Sequence, residues 1–394
     1  MESKTVIIAS YHNWQTKRKG GIHVIAELLA NIGFNVLFWS VSRPLIRAFF
    51  SRDERLKYKN VKNLIPKNKI IFSKSKVENI AFFSFELIGE RKIPLVKYYN
   101  ELARRLVWRS FINYINERNI YPDLIIIESS EAVYYYKYFK EAFKDVKILY
   151  RVSDPILGWE RVSSSMINAE KELIKISDMI LACNKETIDN YILNNLLNNK
   201  KYKILENCVD FEFIKKERLK PKILMDIKNK NIFTYIGAKE PDWRLIIYLA
   251  YFFTDDIFLI ICPIEPPFYV KRRILRMKNI IYIPGIYYEE VPSFVQHSDA
   301  IIVPYPIGIK KMPLDLHQKL ILPMILEKPI IAINISDKFE TYKLYIAKDY
   351  NDFLIKLNEV RNIKRVKYDV DLSNFKRERF EAEFKNIIRD LNII

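Results

Sequence analysis

Short apolar runs, unbroken rather than alternating, recur along this chain, and each is followed by a stretch with helical spacing. In the first half they fall at 6–10, 36–41, 70–72, 124–128, 148–152, 179–183 and 203–206. In the second half they fall at 232–236, 257–262, 280–283, 300–304 and 330–333. An unbroken run is how a strand reads when helices cover both faces of its sheet. Strands alternating with helices imply repeated βαβ units, hence an α/β fold with parallel sheets. The pattern restarts near residue 231, after a charged stretch at 215–230 that contains Pro221. Two doubly wound domains are therefore expected, 1–215 and 216–373. A terminal helix follows at 374–394, with Phe380, Phe384, Ile387, Ile388 and Leu391 at helical spacing. In open parallel sheets, ligands bind beyond the carboxyl ends of the strands. Two such domains facing each other would set those loops across a common cleft.

The formal charge of +18 favours anionic partners such as nucleotides, phosphorylated substrates, nucleic acid or an anionic membrane face. With 8 glycines against 24 phenylalanines and 25 tyrosines, collagen-like and linker-like readings are excluded. Cys183, Cys208 and Cys262 lie far apart, which argues against a disulfide framework or a zinc finger. His12, His23, His297 and His317 show no zincin spacing. The first residues run straight into a short apolar strand, without the pattern of a secretory leader. No run approaches the roughly 20 apolar residues of a spanning helix. The expected location is cytoplasmic, free or held on a membrane surface.

Residues 17–76 contain 14 basic side chains and 3 acidic ones, more than half of the net charge. Inside this window Arg43, Leu45, Ile46, Arg47, Phe49 and Phe50 mix apolar and basic character, a pattern suited to an anionic membrane. A solvated basic loop with Leu45, Ile46 and Phe49 packed inward reads equally well. The stretch 94–119 interleaves Tyr98, Leu102, Leu106 and Tyr114 with Lys97, Arg104, Arg105, Arg109 and Arg118. It reads as a core helix with a wet basic back, or as part of an acceptor groove.

Four segments placed just after strands carry chemistry. Gly20 and Gly21 open a helix, where paired glycines let backbone N–H groups approach a ligand. His23 follows, and a packed helix residue is the commoner role for such a histidine. Arg151 and Asp154 end an apolar strand. A carboxylate there can act as general base toward a hydroxyl. Asp154 before Pro155 also suits a helix cap. Gly237 and Lys239 follow the first strand of the second half, where a lysine can reach a diphosphate at a helix N-terminus. The fourth segment runs from Tyr305 through a loop to Gln318-Lys319-Leu320, then Met324, Glu327, Pro329 and Ala332.

This last segment resembles the donor-site signature of GT-B glycosyltransferases, with Lys319, Leu320, Met324, Pro329 and Ala332 in register. Asn207-Cys208-Val209-Asp210 resembles the turn that ends the N-terminal domain in those enzymes. Ser10-Tyr11-His12, Arg18-Lys19, His23 and the run from Tyr150 to Asp154 resemble the xanthan glucuronosyltransferase family. The likeness to the family 4 glycosyltransferases is more distant. Two positions depart from the signature: Leu322 stands in place of an acidic residue and Glu327 in place of a glycine. The paired carboxylates of a retaining enzyme are thus missing, which favours inversion.

The resemblance implies two Rossmann-like domains facing a cleft and transfer of a sugar from a nucleotide diphosphate, UDP in the first instance. The acceptor would be a glycan, one carried on a polyprenyl diphosphate being the form suited to a membrane. Asp154 is then the base and Lys319 the leaving-group partner, with Lys239 a second. Tyr305, Gln318 and Gly237 line the nucleotide, and Gly20, Gly21, His12, His23 and Arg151 lie toward the acceptor. No cofactor, metal or nucleic acid is required. The rivals are a retaining transferase, a basic nucleic-acid binder without a helix-turn-helix, RNP or zinc signature, and a glycan-binding protein that has lost catalysis.

Overall fold

The computed structural model describes residues 4–14, 19–65, 77–87, 90, 92–159, 162–308 and 318–394, with the side chains of Ser42, Asn63, Gln318 and Lys338 left aside. The chain divides into two compact units. The first comprises residues 1–51, 55–207 and 378–394, and the second 52–54 and 208–377. The division falls at 207/208 rather than 215/216. The reason is that Val209 and Ile214 pack into the core around Tyr305 and Leu320 in the second unit.

Among the described residues the first unit holds seven strands: β1 (Thr5–Ser10), β2 (Asn35–Pro44), β3 (Val77–Ser84), β4 (Leu124–Glu128), β5 (Lys147–Val152), β6 (Met179–Ala182) and β7 (Tyr202–Ile204). Their order is β3-β2-β1-β4-β5-β6-β7, and every pair is parallel. The second holds β8 (Ile232–Ile236), β9 (Ile257–Ile261), β10 (Ile280–Ile283), β11 (Ala300–Pro304), β12 (Ile330–Ile333) and β13 (Tyr345–Ala347), in the order β10-β9-β8-β11-β12-β13, again all parallel. The strand order reverses between β1 and β4 in one sheet and between β8 and β11 in the other. These are the switch points where doubly wound sheets open a crevice for ligands.

The apolar runs explain why these strands form. Val6, Ile7, Ile8 and Ala9 of β1 are fully buried, as are all but the last residue of β4. Helices cover both faces, so neither face of the strand needs a polar residue. Trp39 of β2 is the anchor of the first core. Its ring stacks on Phe111 at 4.0 Å between centroids and meets Tyr135 edge-on at 4.7 Å. Phe111 belongs to the Pro94–Glu117 helix, whose inner face also includes Ala103, Val107 and Ile115. That face is not the expected one. Tyr98, Leu102 and Leu106 point outward at 71%, 57% and 51% exposure, while Arg104 is buried.

Two strands escaped the sequence reading. β3 carries Glu78 and Asn79 among its apolar residues, and β13 is three residues long. The strand expected at 70–72 lies outside the described residues. The helix Arg377–Asp390 buries Phe380, Phe384, Ile387 and Ile388, and residues 378–394 cluster with the first unit.

Candidate active site

In the first unit, chemistry gathers where β1 and β4 end. Glu128, the last residue of β4, is 3% exposed. Its carboxylate accepts hydrogen bonds from Ser10 Oγ and from Ser153 Oγ, the latter at 2.9 Å. His12 Nε2 stands 3.9 Å from Glu128 Oε2, and the His12 N–H donates to Ser10 Oγ at 3.0 Å. A buried carboxylate is tolerated because it is hydrogen-bonded and paired. The cluster therefore sits at the switch point as a buried carboxyl group with an imidazole against it. Glu128 was not singled out from sequence. Its only signal was an acidic residue ending an otherwise unbroken apolar run.

Asp154 lies two residues beyond β5 and is exposed. The turn Ile156–Gly158 is capped at Pro155, so Asp154 does not serve as its cap. Glu170, fully buried, holds this turn in place. It accepts from Ile156 N and Leu157 N at 3.0 Å each, and from the hydroxyls of Tyr150 at 2.7 Å and Tyr191 at 2.6 Å. The Asp154 N–H itself donates to Ser129 Oγ at 3.3 Å. The carboxylate thus projects from an anchored backbone.

In the second unit the matching place is the end of β8 and β11. Tyr305 follows β11 directly and is 1% exposed. Its hydroxyl is buried without a hydrogen-bond partner among the described residues. Lys239 Nζ lies 5.1 Å, and Lys319 Nζ 4.5 Å, from the centroid of this one ring. Cations over a tyrosine face are attracted by its quadrupole. The Lys239 backbone is held as well: its carbonyl accepts from Tyr235 Oη at 2.6 Å and Cys262 Sγ at 3.4 Å. Two ammonium groups thus lie against one ring at a switch point, an arrangement chemically able to meet an anion.

Residues 8–183 match the family model of the N-terminal domain of the glucuronosyltransferase GumK. Over nearly its whole length the chain is similar in fold to sucrose-phosphate synthase from Thermosynechococcus elongatus, at 12% identity and a TM-score of 0.64, covering 98% of this chain and 99% of that one. It is similar to Anabaena HepE, solved in complex with UDP and glucose, at 11% identity and 0.64, covering 98% and 100%. It is also similar to the UDP-forming α,α-trehalose-phosphate synthase from Burkholderia vietnamiensis, at 10% and 0.63, covering 98% and 100%. The chain thus has the two-domain GT-B fold of these enzymes, and its residues 8–183 are similar to a glucuronosyltransferase N-terminal domain. No curated protein matches it in sequence.

Within this fold several expected contact residues turn out to be internal. Arg151 is fully buried, donating from Nη1 to Leu205 O at 3.1 Å and from Nη2 to Asn207 Oδ1 at 3.1 Å. It ties β7 and the 207 turn beneath the site rather than facing solvent. His23 is also fully buried. Its Nδ1 accepts from Gly20 N at 3.1 Å, which leaves Nε2 to donate to Asn13 O at 2.8 Å. The Gly20 N–H is thereby engaged. Gly21 is required by crowding, since a Cβ there would lie 1.8 Å from Asn207 Oδ1.

Gly237 has a similar reason. A Cβ would lie 2.4 Å from the Tyr235 hydroxyl, and its own N–H donates to Ile261 O at 3.1 Å. The helix Trp243–Phe252 does not offer its N-terminus to a diphosphate, because the Asp242 carboxylate already accepts from Arg244 N and Leu245 N. Leu322 is buried in the core, and Glu327 adopts φ +54°, the left-handed conformation that favours glycine. The Gln318 side chain, His317 and Arg18 lie outside the described residues.

Arg43 must be withdrawn from the proposed membrane face. It is 3% exposed, with its guanidinium donating to Tyr11 O, Val41 O and Asn13 Oδ1. Burial pushes it down to about 10, so it stays charged at neutral pH. Leu45 is half-buried, and Arg47 pairs with Glu131 at 3.6 Å. Arg52 is bidentate to Glu240 at 2.7 Å. Ile46, Phe49 and Phe50 remain outside, at 38%, 64% and 82% exposure. Among the described residues, no helix is long and apolar enough to cross a membrane.

Proposed function

We propose that the chain transfers a sugar from a nucleotide diphosphate, UDP in the first instance, to a hydroxyl of a glycan acceptor with inversion at the anomeric carbon. The observation that carries this is the convergence of Lys239 and Lys319 on Tyr305 at the second switch point. The ligands named for HepE and for the UDP-forming trehalose-phosphate synthase favour UDP. The acceptor oxygen attacks the anomeric carbon as the bond to the diphosphate breaks. Asp154 takes the hydroxyl proton, and the two lysines meet the charge gathering on the leaving diphosphate. These ammonium groups can do so without a metal.

A second base is favoured by one observation. His12 Nε2 stands 3.9 Å from the buried Glu128 carboxyl group, near enough for a negative charge there to stabilise an imidazolium formed by proton abstraction. The acceptor reading extends to a lipid-linked glycan presented at an anionic cytoplasmic membrane face. The exposed Ile46, Phe49 and Phe50 in a basic window support it. A calorimetric or thermal-shift screen against UDP, GDP, ADP and their sugars tests the donor. Stabilisation by no nucleotide diphosphate would overturn the reading.

A further inference from the structure

The second unit carries a basic and apolar surface outside the residues assigned to transfer. The helix Phe268–Ile274 turns Val270 and Ile274 inward. Its other side chains face out, with Phe268 at 76% and Tyr269 at 69% exposure, and Leu275 just beyond at 77%. Lys271, Arg272, Arg273, Arg276 and Lys278 are exposed around them. No acidic residue interrupts 268–278.

The helix Trp243–Phe252 packs into the same core, and its end leaves Tyr251 at 72% and Phe252 at 56% exposure. Asn279 Nδ2 donates to Ala250 O at 2.8 Å and Phe253 O at 3.0 Å, which brings the end of the basic segment to the end of that helix. On this side Asp255 is exposed, whereas Asp256 is buried against Arg361 at 3.1 Å. Exposed apolar side chains in such a group mark an interaction surface.

We propose that this face seats the second unit on an anionic lipid surface. Phe268, Tyr269 and Leu275 enter the headgroup boundary, and the five cations meet lipid phosphates. Charge complementarity selects the occupant, since the segment 268–278 exposes five cations and contains no acidic residue. The aliphatic Leu275 and the interface-seeking tyrosine and phenylalanine favour lipid over a stacked nucleic acid strand. The choice of lipid rests on the membrane location proposed above, but the surface includes no residue of 43–50. Its function would be to hold the donor-binding unit at the membrane in its own right.

Vesicle co-sedimentation of the full chain tests this, using phosphatidylcholine with and without phosphatidylglycerol. Arg272→Glu with Arg273→Glu should lower binding to the anionic vesicles roughly tenfold or more, at about 1 kcal/mol per basic residue. Phe268→Ser with Tyr269→Ser should lower it with the charge intact. Both pairs are exposed, so the thermal unfolding curve should not move. Leu193→Ser, an exposed apolar residue elsewhere at 82%, should bind as the parent does. Unchanged binding in both pairs overturns the proposal. If only Phe49→Ser with Phe50→Ser loses binding, this proposal falls and the first-unit contact stands. If the parent ignores anionic vesicles, both fall. Loss of single-stranded nucleic acid binding with vesicle binding retained also overturns it.

Discussion

Lys319 holds its ammonium 4.5 Å from the centre of the Tyr305 ring. The ring is buried, so the cation is placed before any ligand arrives, and less side-chain order is lost on binding. Lys319→Ala is expected to weaken UDP binding roughly tenfold to a hundredfold, the ~1.5–3 kcal/mol of a hydrogen bond to a charged group. The unfolding temperature should hold. Calorimetry measures it, and an unchanged affinity would remove the lysine from the site.

Asp154→Asn keeps the shape of the side chain and removes the base. Turnover should fall by about 10²–10⁴ with donor affinity nearly unchanged. The competing base is tested in parallel with His12→Asn. If His12 is the base, that variant takes the larger loss and abolishes the acid limb of the kcat/KM profile, while Asp154→Asn keeps it. The pH–rate profiles of both variants decide between the two carriers of the proton.

Gly21→Ala should be costly for a reason that has nothing to do with ligands. The new methyl meets Asn207 Oδ1, which is itself fixed by Arg151. Overpacking of this sort costs about 1–3 kcal/mol. Asn207→Ala in the same chain should return part of it, so the two changes together cost less than their sum. Urea unfolding of the parent and the three variants measures the coupling. Simple additivity would mean that the crowding is relieved some other way.

Acid should loosen the pairing of Glu90 with Arg104. Glu86 and Glu90 both hold Arg104, at 2.8 and 2.5 Å, and Ser165 Oγ donates to Glu90. Burial pushes the Glu90 carboxyl up, but Arg104 and the hydrogen bonds from Ser165 and Asn100 outweigh it and hold it below the usual range. A group depressed on folding adds stability above its unfolded value near ~4.3 and loses it as pH falls through the folded value. Glu90→Gln should therefore be less stable at neutral pH and show a flatter decline below about pH 4. Urea midpoints between pH 7 and 3 measure this, and parallel curves for parent and variant would contradict it.

The parallel strands were legible because burial on both faces writes itself as an unbroken apolar run. β4, β8, β10, β11 and β12 appear at the expected limits. β3 was not legible, since Asn79 is used internally, donating to Phe38 O and Ser40 Oγ at 2.8 Å each. Lys239 drew notice because it lies just past a strand at a switch point, and Lys319 only through the resemblance of its segment to a donor-site signature. Glu128 could not, since a buried acid looks the same in sequence as an exposed one. Arg43 and Arg151 failed in the opposite sense. Composition counts a cation as surface charge, and only the fold reveals carbonyls waiting for it inside.

The return of residues 378–394 to the first unit bears on how the protein is made. Domains usually fold in order as they leave the ribosome. Here the first unit lacks its closing helix when Asn207 emerges, and must wait until the whole of the second unit has been translated. Until then the surface destined for Phe380, Phe384 and Ile388 is bare, and exposed apolar surface of that kind is prone to misassociation.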